Sequence, residues 1–443
     1  MSVENVINKD NKKSSFIPTV IVLCLLTYLR DNMGFTVPID LLTVVFGLGF
    51  LFFERRDFIA LCVVEPLFYA SIRTTWVFLI ALIVYYFKFG NIRKITKYQA
   101  IVAVLMIIEF FHIMIEPFSM IGYVGYLITY WYMATMLGEM FYLDNEDKKY
   151  VMIAYVALFL FVMFDILLIF LGYYGSFASM LTGSIRFGNI DRLHWFLDLD
   201  YYINLNENTV AMYAIVAVGV CLSGYYQKSK RNYWWLIAMF LSMLFGLATM
   251  SRSFLLCLAI ILIFWIFIVL KKHSISRTNI FSLIIIGAGI AAGGGILATQ
   301  ISNILARFLE ANITGSRNLI FALYNDFFFA HPQYWLTGIG LQSIDLKIGV
   351  NRVTHNGIQE TYICFGILGL LLVFLLFIYA FMDAKSRLRD KHIQLESLIP
   401  FIGYFAFTQT IQFVRLSSVY LFLPLVFMVL VYDYRLDTDI QER

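Results

Sequence analysis

Long apolar runs, separated by short polar segments, repeat along the chain from Phe16 to Val431. Each is about 15 to 25 residues, the length that carries a helix across ~30 Å of hydrocarbon. The pattern predicts about fourteen transmembrane helices, near residues 16–29, 36–53, 57–72, 74–88, 98–114, 120–142, 150–172, 208–226, 233–249, 254–270, 279–299, 357–382, 396–412 and 416–432. The segments expected outside are short except at 173–207 and 300–356. We therefore expect one all-α polytopic membrane domain over residues 1–443, with the larger external loop between helices 11 and 12. The first fifteen residues are polar and no small-residue cleavage site follows the first apolar run, so the first helix is expected to remain as an anchor.

Composition excludes a soluble alternative. The 443 residues are 61% hydrophobic and 14% charged, with mean hydropathy +0.79, whereas soluble domains carry about 25% charged residues. The five cysteines (Cys24, Cys62, Cys221, Cys257 and Cys364) all fall inside apolar spans. Packing as small hydrophobes explains them better there than pairing or metal binding. Charge then sets orientation. With both termini cytoplasmic, 23 of the 33 Lys and Arg residues lie inside, in segments such as Lys9 to Lys13, Arg93 to Lys97, Lys228 to Arg231 and Lys385 to Lys391. The flipped topology would oppose the basic bias of cytoplasmic loops. The net charge of +4 needs no nucleic-acid partner to explain it.

The ten basic residues left outside are Arg30, Arg73, Arg186, Arg192, Arg252, Arg307, Arg317, Lys347, Arg352 and Arg415. Nine of the ten are arginine, while lysine leads fourteen to nine inside. The external face has thus kept the fork-shaped guanidinium that grips phosphate or carboxylate bidentately, which points to an anionic ligand. Interface anchoring is the plainer reading of each arginine taken singly.

The first long external segment contains Gly183-Ser-Ile-Arg186-Phe-Gly188 and ends in Asn206-Glu207-Asn208 at a helix start. The second passes through Thr314-Gly-Ser-Arg317 and Thr337-Gly338-Ile-Gly340, then closes on Thr354-His355-Asn356. Gly338 and Gly340 mark a turn that allows close backbone approach; neither a preceding strand nor a Walker lysine makes it a phosphate loop. Ser251-Arg252-Ser253 forms a short hairpin between two spans, which places Arg252 at the outer membrane boundary, in reach of a lipid headgroup. His355 falls in the first turn of a helix, where the positive dipole end disfavours the imidazolium and favours a neutral base. It is also next to Thr354 and Asn356, either of which serves as an N-cap.

Ser251-Arg252-Ser253 opening a helix, Ser316-Arg317, Gly338-x-Gly340, and His355-Asn356 followed by Glu360 and Gly366-Ile-Leu-Gly369, in this order and on one face, resemble the O-antigen polymerase and O-antigen ligase superfamily. The detailed resemblance covers residues 183 to 370. It implies a GT-C-like fold and an inverting, metal-independent glycosyltransferase acting on the outer leaflet of a bacterial plasma membrane. The donor it implies is an oligosaccharide on polyprenyl pyrophosphate. Arginines matching Arg252 and Arg317 would hold the pyrophosphate, and His355 would act as base on the acceptor hydroxyl. The family often shows Asn-Pro-Asn where this chain has Asn206-Glu207-Asn208, so Arg186 is carried over less directly. Ser251, Asn356, Glu360, Gly338 and Gly340 would support the site.

The chemistry of the residues agrees with that resemblance. A glycosyl pyrophosphate needs charge stabilisation at its leaving group, which fixed arginines supply without a metal or cofactor. Asp198-Leu-Asp200 could share a hard divalent cation or be two solvated loop acids. Four acids within or near the spans, Glu65, Glu109, Glu139 and Asp165, keep open a transporter or flippase of lipid-linked sugars. Against that, no strong internal repeat or paired broken spans are evident. The expectation is a polymerase of lipid-linked repeat units for a surface polysaccharide such as O-antigen or capsule, with ligase as the alternative. Its expected partners are the lipid-linked oligosaccharide, the bilayer, a flippase and a chain-length regulator.

Overall fold

A computed structural model describes residues 15–68, 74–90, 95–115, 120–182, 185–190, 205–226, 233–271, 287, 302, 317–341, 356–386, 395–410 and 422–430. Among these residues the regular structure is entirely helical. The chain runs through α1 (Phe16–Met33), α2 (Ile39–Phe50), α3 (Arg55–Val64), α4 (Thr74–Phe89), α5 (Lys97–Ile115), α6 (Met120–Glu139), α7 (Asn145–Tyr174) and α8 (Phe177–Thr182). It continues through α9 (Glu207–Tyr226), α10 (Tyr233–Ala248), α11 (Arg252–Lys271), α12 (Arg317–Ala330), α13 (Gly357–Ser386), α14 (Ile399–Thr408) and α15 (Leu423–Val429). Five of these, α1, α5, α7, α9 and α13, are long and apolar enough to cross a membrane, and α2, α4, α10, α11 and α14 are shorter apolar helices. The protein is thus a helical membrane protein; the span expected at 279–299 lies outside the described residues except for Gly287.

Local chemistry sets the helix limits. The Asp144 side chain accepts the Asp147 N–H at 2.9 Å and caps the start of α7, while Gly175 at φ +71° ends it by returning its N–H to Leu171. Gly34 at φ +72° closes α1 in the same way, onto Leu29. The expected 57–72 span is instead α3 followed by a 3₁₀ turn, Glu65–Phe68. Pro66 is the reason: it has no N–H to donate, so the α hydrogen-bond ladder cannot continue through it.

The solvent of this fold is legible in its surface. Ile17, Ile21 and Leu25 on α1, Ile107, Phe110 and Phe111 on α5, and Leu371, Phe374 and Phe381 on α13 are all exposed. An apolar surface repeated on several helices is what lipid tails cover. The buried share grades the helices from rim to centre: 39% of the apolar stretch of α1 is buried, against 94% for α9. Around α9 pack α7, α10, α11 and α14. A Cβ built on Gly219 of α9 would lie 2.8 Å from the Pro400 backbone, and Ile215, one turn earlier, lies with Ile261 of α11 against Gly403, so α14 runs antiparallel to α9. Three buried tyrosines donate their hydroxyls to carbonyls across the helices: Tyr132 to Phe58 at 2.5 Å, Tyr155 to Tyr213 at 3.1 Å, and Tyr213 to Pro66 at 2.7 Å.

Helix ends sort into two groups. At one, Arg55 pairs with Glu139, Arg56 with Asp147 and Lys97 with Asp383, while Lys88 donates to the Leu51 and Phe53 carbonyls. These contacts gather the starts of α3, α5 and α7 with the ends of α2, α4, α6 and α13. At the opposite end lie the starts of α9 and α11.

The α13 helix is broken. Gly366, at φ +67° and ψ −167°, interrupts it between two helical halves. An unbroken helix would pair Ile367 N–H with Ile363 O and Leu368 N–H with Cys364 O. Instead Ile367 donates to Trp335 O at 2.8 Å and Leu368 to Leu336 O at 3.1 Å, while Ile339 donates to Ile363 O and Gly340 to Cys364 O, both at 2.9 Å. Two segments thus exchange two helical hydrogen bonds each, so the amides of Ile367 and Leu368 and the carbonyls of Ile363 and Cys364 stay paired at the break, as a bilayer interior demands. The exchange needs close backbone contact. A Cβ on Gly338 would lie 2.3 Å from the Cys364 carbonyl carbon, and one on Gly366 would lie 2.4 Å from that of Leu336.

Candidate functional site

Among the described residues, the start of α9 carries a polar cluster that includes two sequence-predicted residues, Arg186 and Ser251. Asn206 caps the helix, its Oδ1 accepting the backbone N–H groups of Asn208 and Thr209, both at 3.0 Å. That cap fixes Glu207 and Asn208 on the first turn, pointing to different neighbours. The Glu207 carboxylate accepts from Arg186 Nη1 at 3.2 Å and from Asn189 Nδ2 at 2.7 Å. The Asn208 Oδ1 accepts the Ser251 hydroxyl at 3.0 Å. Ser251 is 3% exposed and immediately precedes α11, whose first residue, Arg252, is partly exposed.

Arg186 and Ser251 are therefore brought together through the consecutive residues Glu207 and Asn208, with Arg252 following Ser251 as the first residue of α11. Two helix N-termini, those of α9 and α11, meet here, and their dipoles favour an anion. The described loop segment 185–190 is held in place from behind: Tyr174 of α7 exchanges hydrogen bonds with the Ile185 backbone, and Ile190 donates to Leu205 O at 2.9 Å.

A second polar group lies at the start of α13. Asn356 accepts the Gln359 N–H at 2.9 Å as the cap of that helix, and its amide approaches the Gln409 carbonyl at 3.5 Å. Because α14 runs antiparallel to α9, Gln409 just beyond its end returns toward the level of Glu207. Gln359 in turn donates to the Phe321 carbonyl and Asn325 of α12, and Tyr362 donates to Asn325. Glu360 is buried one turn inside α13.

Gly338 and Gly340 lie in the segment that exchanges hydrogen bonds with α13. Gly338 makes its close approach to the broken α13 backbone at Cys364, whereas a Cβ on Gly340 would meet the His112 side chain of α5 at 3.0 Å. Arg317 opens α12, but its side chain lies outside the described residues, as do His355, Asp198 and Asp200. Of the four acids within or near the spans, Glu139 pairs with Arg55 at 3.4 Å, Asp165 accepts from Asn32 of α1 at 2.6 Å, and Glu65 is buried in the 3₁₀ turn. Glu109 of α5 accepts the Leu341 N–H at 3.1 Å, and His112 one turn later donates to the Thr337 carbonyl at 2.9 Å. Sequence reasoning missed that Glu207 is the partner of Arg186. The alternation of acid and amides in Asn-Glu-Asn, 21 residues after an isolated arginine, was the available signal.

The Arg186 and Glu207 side chains are 32% and 15% exposed. A double-mutant cycle of Arg186→Ala and Glu207→Ala, read by thermal unfolding in detergent, should therefore give a coupling below about 1 kcal/mol. An apolar groove of about 350 Å³ between α1 and α7, lined by Val20, Cys24, Ala154 and Phe161 among others, lies apart from these residues. No family model matches the chain, and no curated protein matches it.

Proposed function

We propose that the protein is a membrane-embedded glycosyltransferase that polymerises lipid-linked oligosaccharide repeat units into a bacterial surface polysaccharide. The observation that carries this reading is the junction of the α9 and α11 N-termini, where Arg186 pairs with Glu207 and Asn208 accepts from Ser251, the residue before Arg252. Two positive helix ends and arginine side chains form a place for a pyrophosphate. In the proposed reaction the acceptor sugar hydroxyl attacks the anomeric carbon, the bond to the pyrophosphate oxygen breaks with inversion, and the hydroxyl proton passes to a base. Arg252 and Arg317 hold the leaving pyrophosphate, Arg186 contributes from across Glu207, and His355 receives the proton. On this reading both termini are cytoplasmic, the α9 and α11 starts face outward, and the donor is a glycan on polyprenyl pyrophosphate supplied by a flippase. A chain-length regulator would set product size. A GT-C-like architecture of about fourteen spans belongs to the same proposal.

Reconstitution tests it. Purified protein in lipid vesicles, given polyprenyl-pyrophosphate-linked repeat units and no added metal, should release polyprenyl pyrophosphate and form lipid-linked products two and more units long. His355→Ala should form none. Intact starting material with the unaltered protein, or undiminished product with His355→Ala, would count against the reading.

A further inference from the structure

The buried acid Glu109 sits in surroundings that do not support a charge. It is 1% exposed, and both its oxygens turn to a single backbone donor, the Leu341 N–H, at 3.1 and 3.3 Å. Among the described residues no Lys or Arg pairs with it. A carboxylate ion inside a bundle is sustained by several donors or an opposite charge, and one shared amide supplies neither.

A second observation lies beside it. Tyr130 of α6 is also 1% exposed, and its hydroxyl has no hydrogen-bond partner among the described residues. That hydroxyl is within electrostatic reach of Glu109 and Glu360, as well as Cys364 and Tyr126. The ring packs against Phe365 and Phe422, with centroids 6.4 and 5.2 Å away.

We propose that Glu109, with Tyr130 and Glu360, forms an exchangeable-proton site inside the bundle, placed against the break in α13. A proton is the smallest ligand that neutralises Glu109, and it turns one carboxyl oxygen into a donor in a site that holds an unused tyrosine oxygen. The titratable groups facing the site are His112 on α5, Tyr126 and Tyr130 on α6, and Glu360 and Cys364 on α13; residues 335–341 contribute none. Loss of the proton makes Glu109 a charged and stronger acceptor for Leu341, which tightens the segment exchanging hydrogen bonds with α13. Gain of the proton loosens that hold. The site therefore links proton occupancy to the fit of residues 335–341, independently of the glycosyltransferase reading.

Infrared spectroscopy of the full-length protein in lipid nanodiscs tests it. The expected result is a carboxylic-acid C=O stretch at neutral pH that shifts on exchange into deuterated water and is missing in Glu109→Gln. Tyr130→Phe removes only the unpartnered oxygen, so it should fold normally and move the frequency of that same band. A set of carboxylic-acid bands unchanged in Glu109→Gln, or a Glu109 band unmoved by Tyr130→Phe, would overturn the proposal. So would loss of the band on adding sodium at fixed pH, which would assign the site to an alkali cation.

Discussion

Arg252→Ala should lower glycosyl transfer by about 10²- to 10³-fold, the usual effect of removing one fixed donor from a developing anion. The protein should remain inserted and folded, because Arg252 is partly exposed at the first position of α11. Its backbone opens the helix whatever the side chain, and Ser251 keeps its hydrogen bond to Asn208. Arg252→Lys should recover only part of the rate, since an ammonium keeps the charge without the bidentate fork. The measurement is product formed per inserted protein, with the donor saturating and then limiting. Normal turnover of Arg252→Ala at normal protein level would remove this arginine from the mechanism and leave it as an interface anchor.

Gly366→Ala should have the largest effect on stability. Its backbone, at φ +67° and ψ −167°, lies in a region that only glycine occupies without strain, and such strain alone costs about 1–3 kcal/mol. A Cβ would also meet the Leu336 carbonyl carbon at 2.4 Å and its oxygen at 2.4 Å. Backbone cannot swing aside as a side chain can, so the four exchanged hydrogen bonds would be disturbed together. Gly338→Ala should act alike, from the other partner. Gly172→Ala in α7 is the control: it has nothing within 4 Å of a built Cβ and no positive φ, so it should be neutral or stabilising by up to about 1 kcal/mol. Yield of monodisperse protein and unfolding temperature in detergent would rank the three. Equal behaviour of Gly366→Ala and Gly172→Ala would mean that the break is not held as described.

The helical membrane fold was legible because its signal is local. A run of apolar residues reports its solvent without reference to any other part of the chain, and so the runs at 74–88, 98–114 and 233–249 coincide with α4, α5 and α10 to within a residue or two. The break in α13 was not legible, because the pattern through Gly366-Ile-Leu-Gly369 is uniformly apolar and reads as one helix. What decides the break is a second segment, Trp335 to Gly340, earlier in the chain, which takes over the hydrogen bonds. Gly338 and Gly340 did mark close backbone approach; the neighbour they approach could not be read from their own sequence. The order of Arg186, Asn206 to Asn208, and Ser251-Arg252 along the chain was visible, yet the Glu207 carboxylate that ties the first to the others came only from side-chain geometry. Charge asymmetry found the arginines, and it is silent on which acid answers them.

The central claim is that the protein joins repeat units while they are still on their lipid carrier. The direct measurement is the length distribution of surface glycan, on the carrier and on the final acceptor, in cells lacking the gene and in the same cells carrying it on a plasmid. The account predicts single repeat units with no longer ladder in the first and a restored ladder in the second. Full-length polymer stranded on the carrier would instead place the protein at the ligation step, and an unchanged distribution would contradict a role in glycan assembly altogether.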